Sequence, residues 1–574
     1  MRRAVVLLVS VVWGLAAAAR AGGGPENVFL VVNPASPDSL AVANTFANLR
    51  QVPPINVFML PWTGSDESVP IGAFRDSILR PVIRAIEARR LATQIDCVVY
   101  SSGFPWRVDY VDELPPDLKN EDQFPSGSLT GMTTLHAAVN SGAPMWLAVD
   151  SNLYYRPVNA EGVPAETRGF RSWYGWSKKG ELLEAGGASY LLSAMLGVTA
   201  GRGNSVAEID AYLRSAAAAD GTRPQGTIYF MTNGNIRTTT RSGPFPAVVR
   251  ALGELGVKAE IVAGTLPERK RDVAGLMTGT PSFDWPGSRS TMVPGAICEN
   301  LTSFGGIFTR TAGQTPLSDF LRAGAAGSSG TVTEPFSLQA KFPHPSIQVH
   351  YARGASLIEA FYQSVQAPYQ LLVVGDPLCQ PWATIPEVEV VRAADSKVLE
   401  PGTTISGTLE LEPRASGADA AGVDRFELFL DGLRVGRAGL GEKLVLDTTP
   451  IADGHHELRV VAIAASAVET QGRRIIPVTT ANHGRTLQLT VEPTRVAPGG
   501  TLRIGVKGAG IDGAIVFAMG RVLGRTAAAE AVIEVPADLL GRGTVAIRAT
   551  GRAGPEPADC VNAEPVTVLV TDGR

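Results

Sequence analysis

The sequence predicts an α/β unit built on a doubly wound, mostly parallel sheet, followed by two all-β sandwiches. Three observations carry this expectation. From residue 25 to about 385, continuous apolar runs alternate with amphipathic helical patterns, as in parallel sheets buried on both faces. Beyond Trp382 the pattern changes to short period-two strands separated by turn residues. Within that second part a stretch of about ninety residues occurs twice.

Bulk properties agree. A chain of 574 residues is too long for one core and suggests about three or four domains. Apolar content of 45% against 18% charged residues marks a globular rather than a disordered chain. The net charge of -4 provides no basic excess for a nucleic-acid partner. Four cysteines (Cys97, Cys298, Cys379 and Cys560) lie far apart, which gives neither a disulfide framework nor a metal knuckle. No metal or cofactor is expected.

The first residues read as a signal peptide over 1–21. Arg2 and Arg3 precede the apolar run Ala4 to Leu15, and Ala19-Arg20-Ala21 offers a small-x-small cleavage pattern. The run is shorter than the roughly 20 residues a membrane span requires. No cysteine follows it to accept a lipid, and no later segment is apolar enough to span a bilayer. The mature chain is expected to be exported (periplasmic, cell-surface or secreted), with no transmembrane segment after cleavage.

The α/β unit is placed at 22–385. NVFLVVN (27–33) is a strand buried on both faces. Ser36 caps a helix with Pro37 in its first turn and Leu40, Ala43, Phe46 and Ala47 as its apolar stripe. INVFML (55–60) is the next strand. A helix from about Ala73 to Arg90 follows, with Phe74, Ile78, Val82 and Ile86 at helical spacing, and IDCVVYSS (95–102) completes a βαβαβ unit. Residues 103–185 lose this rhythm and read as a long loop-rich insertion, the kind that is usually functional or a lid. Alternation returns with a strand at 190–198, a helix from Ser205, a strand at 227–231, a helix from Pro246, and strands at 259–262 and 273–279. A helix from Pro316 to Ala323, a strand at 327–332, a helix near Leu357 to Val365 and the strand in QLLVVGDP (370–377) complete it.

The repeat lies beyond. LEPGTTISGTLEL (399–411) parallels VAPGGTLRIGVKG (496–508), and FELFLDGLRVGR (426–437) parallels IVFAMGRVLGR (515–525) in Gly432/Gly520 and Gly436-Arg437/Gly524-Arg525. These copies read as two immunoglobulin-like sandwiches at 387–480 and 484–574. His455-His456, in ADGHHE, is expected in a solvated hairpin turn.

In open α/β sheets the site lies beyond the carboxyl ends of the strands. That edge should present Thr278 to Asp284, the Cys298 region, Glu334 and Asp376. Cys298 is open to two readings from its surroundings. It is a packed residue in a helix opened by Pro294-Gly295, beside Ile297 and Leu301, or a reactive thiol that needs a base or positive field to lower its pKa. GRGNS (201–205) lacks phosphate-loop spacing and is read as a helix cap by Asn204 or Ser205. The acidic stretch 109–122 lacks a calcium-loop pattern and is read as solvated.

SPDSLAVANTFANLRQVPPINVF (36–58), LGVTAGRGNSVAEIDAYL (196–213), ICENLTSFGGIF (297–308), FLRAGAAGSSGTVTEP (320–335) and GDPLCQP (375–381) are similar, in order, to segments of gingipain-type cysteine peptidases. More closely, the span 25–385 resembles an uncharacterised family of exported bacterial proteins, through FPWRVDY, MLGVTAGRGNSVAE, NLTSFGG and YQLLVVGDPLCQPWA. The resemblance implies a caspase/gingipain-like sheet and matches Cys298 to the peptidase nucleophile. Those peptidases carry a His-Gly pair at the end of the preceding strand, where this chain has Thr278-Gly279-Thr280 in TGTPSFDW.

His344 and His350 in KFPHPSIQVHY (341–351), read as a loop, could reach the edge as a substitute base, though nothing in their spacing demands it, and Asp284 and Glu334 are acidic candidates there. Two functions follow. The first is a non-catalytic descendant of the peptidase fold, binding protein or peptide ligands, with the sandwiches as spacers. The second is an active cysteine peptidase with Cys298 as nucleophile and a non-standard base. A third, glycan binding, would use Trp106, Trp173 and Trp176 as stacking platforms.

Overall fold

The computed structural model describes residues 23–114, 125–142, 144–309, 313–416 and 422–572. The expected signal peptide and residues 115–122 of the acidic stretch lie outside the described residues. The fold is mixed α/β, with one large mixed sheet followed by sandwich-like sheets.

Ten strands form the large sheet: β1 (Val28–Val32), β2 (Val57–Met59), β3 (Cys97–Tyr100), β4 (Leu192–Met195), β5 (Thr227–Thr232), β6 (Lys258–Ala263), β7 (Val273–Gly279), β8 (Met292–Leu301), β9 (Gly327–Thr331) and β10 (Leu371–Gly375). Their spatial order is β6-β5-β7-β8-β9-β10-β4-β3-β1-β2. β9 and β10 run antiparallel, from Gly327 opposite Gly375 to Thr331 opposite Leu371. The other neighbours are parallel. The sheet is thus two parallel halves of opposite direction.

This reversal corrects one expectation. The carboxyl ends of the two halves emerge on opposite edges, so Asp376 does not join Thr278 and Glu334. Its N–H donates to Ala326 O (2.9 Å), just before β9 begins.

The outer elements follow their sequence signals. Ser36 Oγ accepts from Ser39 N–H at the start of helix α1 (Pro37–Arg50), whose apolar stripe is buried against the sheet. Ser205 and Glu208 form a reciprocal cap on helix α2 (Val206–Ala218).

Two segments differ from the reading of the sequence. Residues around Cys298 form strand β8, not a helix. The register jumps from Val273↔Met292 to Gly275↔Ile297, so Pro294 and Gly295 (φ +90°) sit in a bulge where a missing N–H breaks no ladder bond. The KFPHPSIQVHY segment is not a loop throughout, because Ile347–Ala352 form a buried helix, α3.

The insertion is packed rather than draped. Arg107–Asp109 pairs with Ser126–Ser128 and Ser68–Pro70, and the helices Leu129–Thr134 and His136–Ser141 follow. Trp106 and Trp176 are core residues, the first edge-on to Phe308 (5.2 Å) and the second stacked on Phe170 (6.3 Å). Half-buried Trp173 lies among Arg171, Arg434 and Arg437, with guanidinium carbons 5.3–5.9 Å from its ring. No open stacking platform for a sugar remains in this set.

The β-rich part contains two similar sets of sandwich-like strands. Each has a three-stranded sheet: Glu387–Arg392, Thr408–Ser416 and Leu444–Asp447 in the first, Thr486–Glu492, Thr501–Ala509 and Glu530–Pro536 in the second. Their other strands merge into one sheet where Asp453-Gly454 pairs with Val561-Asn562. The repeated hairpins turn at Asp431-Gly432 and Met519-Gly520, and all four residues have positive φ, as two-residue type I′ turns require.

Both turns rest on the same segment of the α/β unit. A Cβ at Gly432 would meet Pro53 Cβ at 2.5 Å, and one at Gly520 would meet Val57 O at 2.7 Å. Buried ion pairs complete the docking. Arg459 bonds Glu26 (3.1 Å) and Glu457 (2.6 Å), and Arg473 reaches Glu26 at 3.3 Å. Arg171 joins Asp96 to Glu469 (3.0 Å each). The sandwiches are therefore seated on the α/β unit and are not spacers that hold it away. His456 is buried in this region, on Asp431 (2.6 Å) and Ala452 O (2.9 Å), not solvated in a turn.

Candidate functional site

Strands β7 and β8 run in register, with Gly275 beside Ile297, Leu276 beside Cys298 and Met277 beside Glu299. Paired residues share a face and successive residues alternate. Gln348 of α3 fills the space a Gly275 side chain would take, and its amide reaches Met277 Sδ (3.8 Å) and Ile297 O (3.2 Å). Helix α3 therefore covers the face of Gly275, Met277, Ile297 and Glu299. Cys298 points to the other face.

His350 belongs to α3, and His344 sits at its entry, where its carbonyl accepts from Ile347 N–H (2.9 Å). The sheet separates both from the Cys298 thiol. Cys298 is fully buried, its sulfur 3.7 Å from Met292 Sδ, and burial aided by Glu299 pushes the thiol well above its ordinary range. His350 Nδ1 is hydrogen-bonded to Thr167 Oγ1 (2.9 Å), and burial holds it well below the usual histidine value. His344 Nδ1 accepts from Ser346 N–H (3.1 Å), and burial with Arg241 lowers it to about 4.

Asp284 is exposed and precedes the short helix Trp285–Ser288 without capping it through its side chain. Glu334 is half-buried and accepts from Phe336 N–H (2.9 Å). Among the described residues no hydrogen bond or ion pair joins Cys298 to His344, His350, Asp284 or Glu334.

What the edge gathers instead is a buried cluster around Glu299. Ser329 of β9 donates its N–H to Oε1 (2.6 Å) and its hydroxyl to Oε2 (2.8 Å). Burial raises this carboxyl to about 8, opposed by Arg241. Arg241 donates to Thr278 O (3.0 Å) and Pro343 O (2.6 Å), tying the end of β7 to the entry of α3. Burial lowers it to about 10, opposed by Glu299.

The edge is closed by its own polar groups. The Asn300 amide accepts from Thr280 N–H (2.9 Å) and donates to Thr280 O (3.1 Å). Thr331 Oγ1 donates toward Thr302 O (3.0 Å) and Ser303 O (2.8 Å). Glu299 is buried, and its bonds to Ser329 fasten β8 to β9. A carboxylate inside an apolar strand run was its signal in the sequence, obscured by the neighbouring cysteine.

At the opposite edge Asp376 is buried on Arg50 of α1 (Nε to Oδ2 2.8 Å), and Arg50 also pairs with Asp220. Burial works against the Arg50 charge, yet Asp376 and Asp220 raise its pKa. Asp220 accepts from Gln380 N–H (2.9 Å), and the Cys379 thiol lies between Tyr351 OH (3.1 Å) and Ala216 O (3.3 Å). This edge, too, is a packed joint. All four cysteines are free thiols, and Cys560 alone among them is partly exposed.

No family model matches the chain. No curated protein matches it either. Among solved structures, the fibronectin(III)-like modules of Clostridium thermocellum CbhA match at 17% identity over 32% of this chain and 95% of theirs, with a TM-score of 0.14. SGBP-B of the Bacteroides ovatus mixed-linkage glucan utilization locus, solved with a heptasaccharide, matches at 15% over 32% and 47%, with 0.19. Dimeric latent PorU of Porphyromonas gingivalis matches at 12% over 32% and 20%, with 0.13. The chain spans less than half of the last two, and superpositions this poor carry no argument about its activity.

Proposed function

We propose that this chain is an exported member of the uncharacterised bacterial family its 25–385 span resembles, built on a caspase/gingipain-like α/β unit that works by binding and not as a peptidase. One observation carries the reading: the Cys298 thiol lies on the opposite face of the sheet from α3, which carries His350 and has His344 at its entry. A cysteine nucleophile needs a thiolate within reach of a base. Here the thiol is buried with its pKa raised, and both imidazoles are held neutral by burial. Among the described residues no helix is long and apolar enough to cross a membrane.

The test is labelling of the folded, full-length protein with iodoacetamide, read by peptide mass spectrometry and paired with a fluorogenic peptide library. Cys560 should take the label, Cys560→Ser should take none, and no peptide should be cleaved. Labelling of native Cys298, together with peptide hydrolysis that Cys298→Ala abolishes, would overturn the reading.

A further inference from the structure

The seam between the α/β unit and the two sandwiches contains a cavity of about 330 Å³. Pro54, Ile55 and Arg89 line it from the α/β unit, His455 from the first sandwich, and Phe517 and Arg548 from the second. The volume lies at the lower end of the range for small-molecule sites, roughly 300–1,000 Å³, and such sites favour domain junctions.

The charges around it are unevenly satisfied. Asp431 holds His456 Nδ1 (2.6 Å) and accepts from Glu457 N–H (2.9 Å). Glu457 is engaged by Arg459 Nε at 2.6 Å. Arg89 donates to Ile55 O and Val57 O (2.7 Å each) and lies 5.5 Å from the ring centres of Phe29 and Phe58. Arg548 differs. Its side chain is half-buried, and among the described residues it has no hydrogen bond or ion pair. Burial lowers its pKa, with Glu457 and Asp431 opposing from beyond contact range. The Arg548 nitrogens have no protein partner among the described residues and stay open to the cavity, where a planar oxyanion can take two parallel N–H···O bonds from them.

We propose that this junction cavity binds a small organic carboxylate, gripped by Arg548 and packed through its apolar body against Ile55 and Phe517. The charge balance favours a monoanion. One fork is free, His455 is held neutral by burial and Arg548, and Asp431 and Glu457 repel a second negative charge. The site stands apart from the sheet-edge reading, since none of its lining residues belongs to β7, β8 or α3.

The experiment is calorimetric titration of the full-length protein with benzoate, phenylacetate and hippurate. Benzamide serves as the neutral isostere and inorganic phosphate as the bare anion. At least one carboxylate should bind, with benzamide and phosphate weaker by about tenfold or more, as expected for loss of a buried charge-assisted pair. Arg548→Gln should lose about tenfold in affinity, while its ligand-free melting temperature stays level because the guanidinium has no protein partner to lose. Arg548→Lys, which keeps the charge and loses the fork, covers the case in which the glutamine variant folds poorly, and it should also weaken binding. Equal binding of benzamide, a preference for phosphate, unchanged affinity in a folded Arg548 variant, or no carboxylate binding at about 10 mM would each overturn the proposal.

Discussion

Glu299→Gln isolates the most perturbed carboxyl near the sheet edge. The folded state holds Glu299 protonated up to about pH 8, whereas the unfolded chain releases that proton near its ordinary value of 4.5. Over the interval between them the folded protein binds more protons than the unfolded one, so stability falls as pH rises. From pH 5 to pH 8 the loss is three units at 1.36 kcal/mol each, about 4 kcal/mol. Glutamine is a neutral stand-in: its carbonyl can accept from Ser329 N–H, and its amide can donate to Ser329 Oγ once that hydroxyl turns from its donation to Oε2. The variant should match wild type near pH 5 and exceed it by about 4 kcal/mol at pH 8. Urea unfolding followed by tryptophan fluorescence is the suitable assay, because the seven tryptophans beyond residue 21 all fall between Trp62 and Trp382 and report on the α/β unit. Parallel pH profiles for the two proteins would refute the reasoning and show Glu299 ionised against Arg241 throughout.

Three further outcomes follow from the docking of the sandwiches. Glu26→Gln leaves Arg459 and Arg473 short of a buried anion and should cost about 3–5 kcal/mol, measured by thermal unfolding and by faster proteolytic separation of the sandwiches. Gly432→Ala and Gly520→Ala place a methyl against Pro53 and Val57 in a positive-φ turn, so each should expose the seam to amide hydrogen exchange, the double variant more than either alone. Although burial works against its charge, His456 is raised above its ordinary value by Asp431, so this pair contributes stability at low pH that is lost as pH rises through the raised value. In Asp431→Asn the NMR titration midpoint of His456 should therefore drop.

The sequence made the α/β rhythm legible because strands buried on both faces appear as unbroken apolar runs. NVFLVV, TIYFM and VAGLMTG all fall in the large sheet. The repeat was legible through Gly432 and Gly520, which type I′ turns demand. Three things were hidden. Pro294-Gly295 signals a helix start locally, but in the fold these residues occupy a bulge whose neighbours pair with β7. The His-rich segment with two prolines does not advertise α3, because its helix is only six residues long and its burial comes from the sheet beneath it. The reversal at β9/β10 cannot be read from composition, since GSSGT and LLVVG would suit either direction.

The parity of β8 bears on chemistry more strongly than the missing histidine does. To bring Cys298 onto the face of α3, the strand would have to slip by one residue, which would turn every side chain on it to the opposite face. Glu299 would then leave Ser329 and Arg241 and enter the apolar surroundings that now hold Cys298, Leu276 and Met292. A carboxyl stripped of both Ser329 hydrogen bonds in that setting is costly to bury, whichever protonation state it takes. The Glu299–Ser329 contact therefore fixes the register that keeps the thiol away from the imidazoles. Introducing a histidine at Thr280, where the resemblance to peptidases would place one, would not by itself create a dyad, because Thr280 follows the end of β7 beside Asn300 while Cys298 remains sealed within β8.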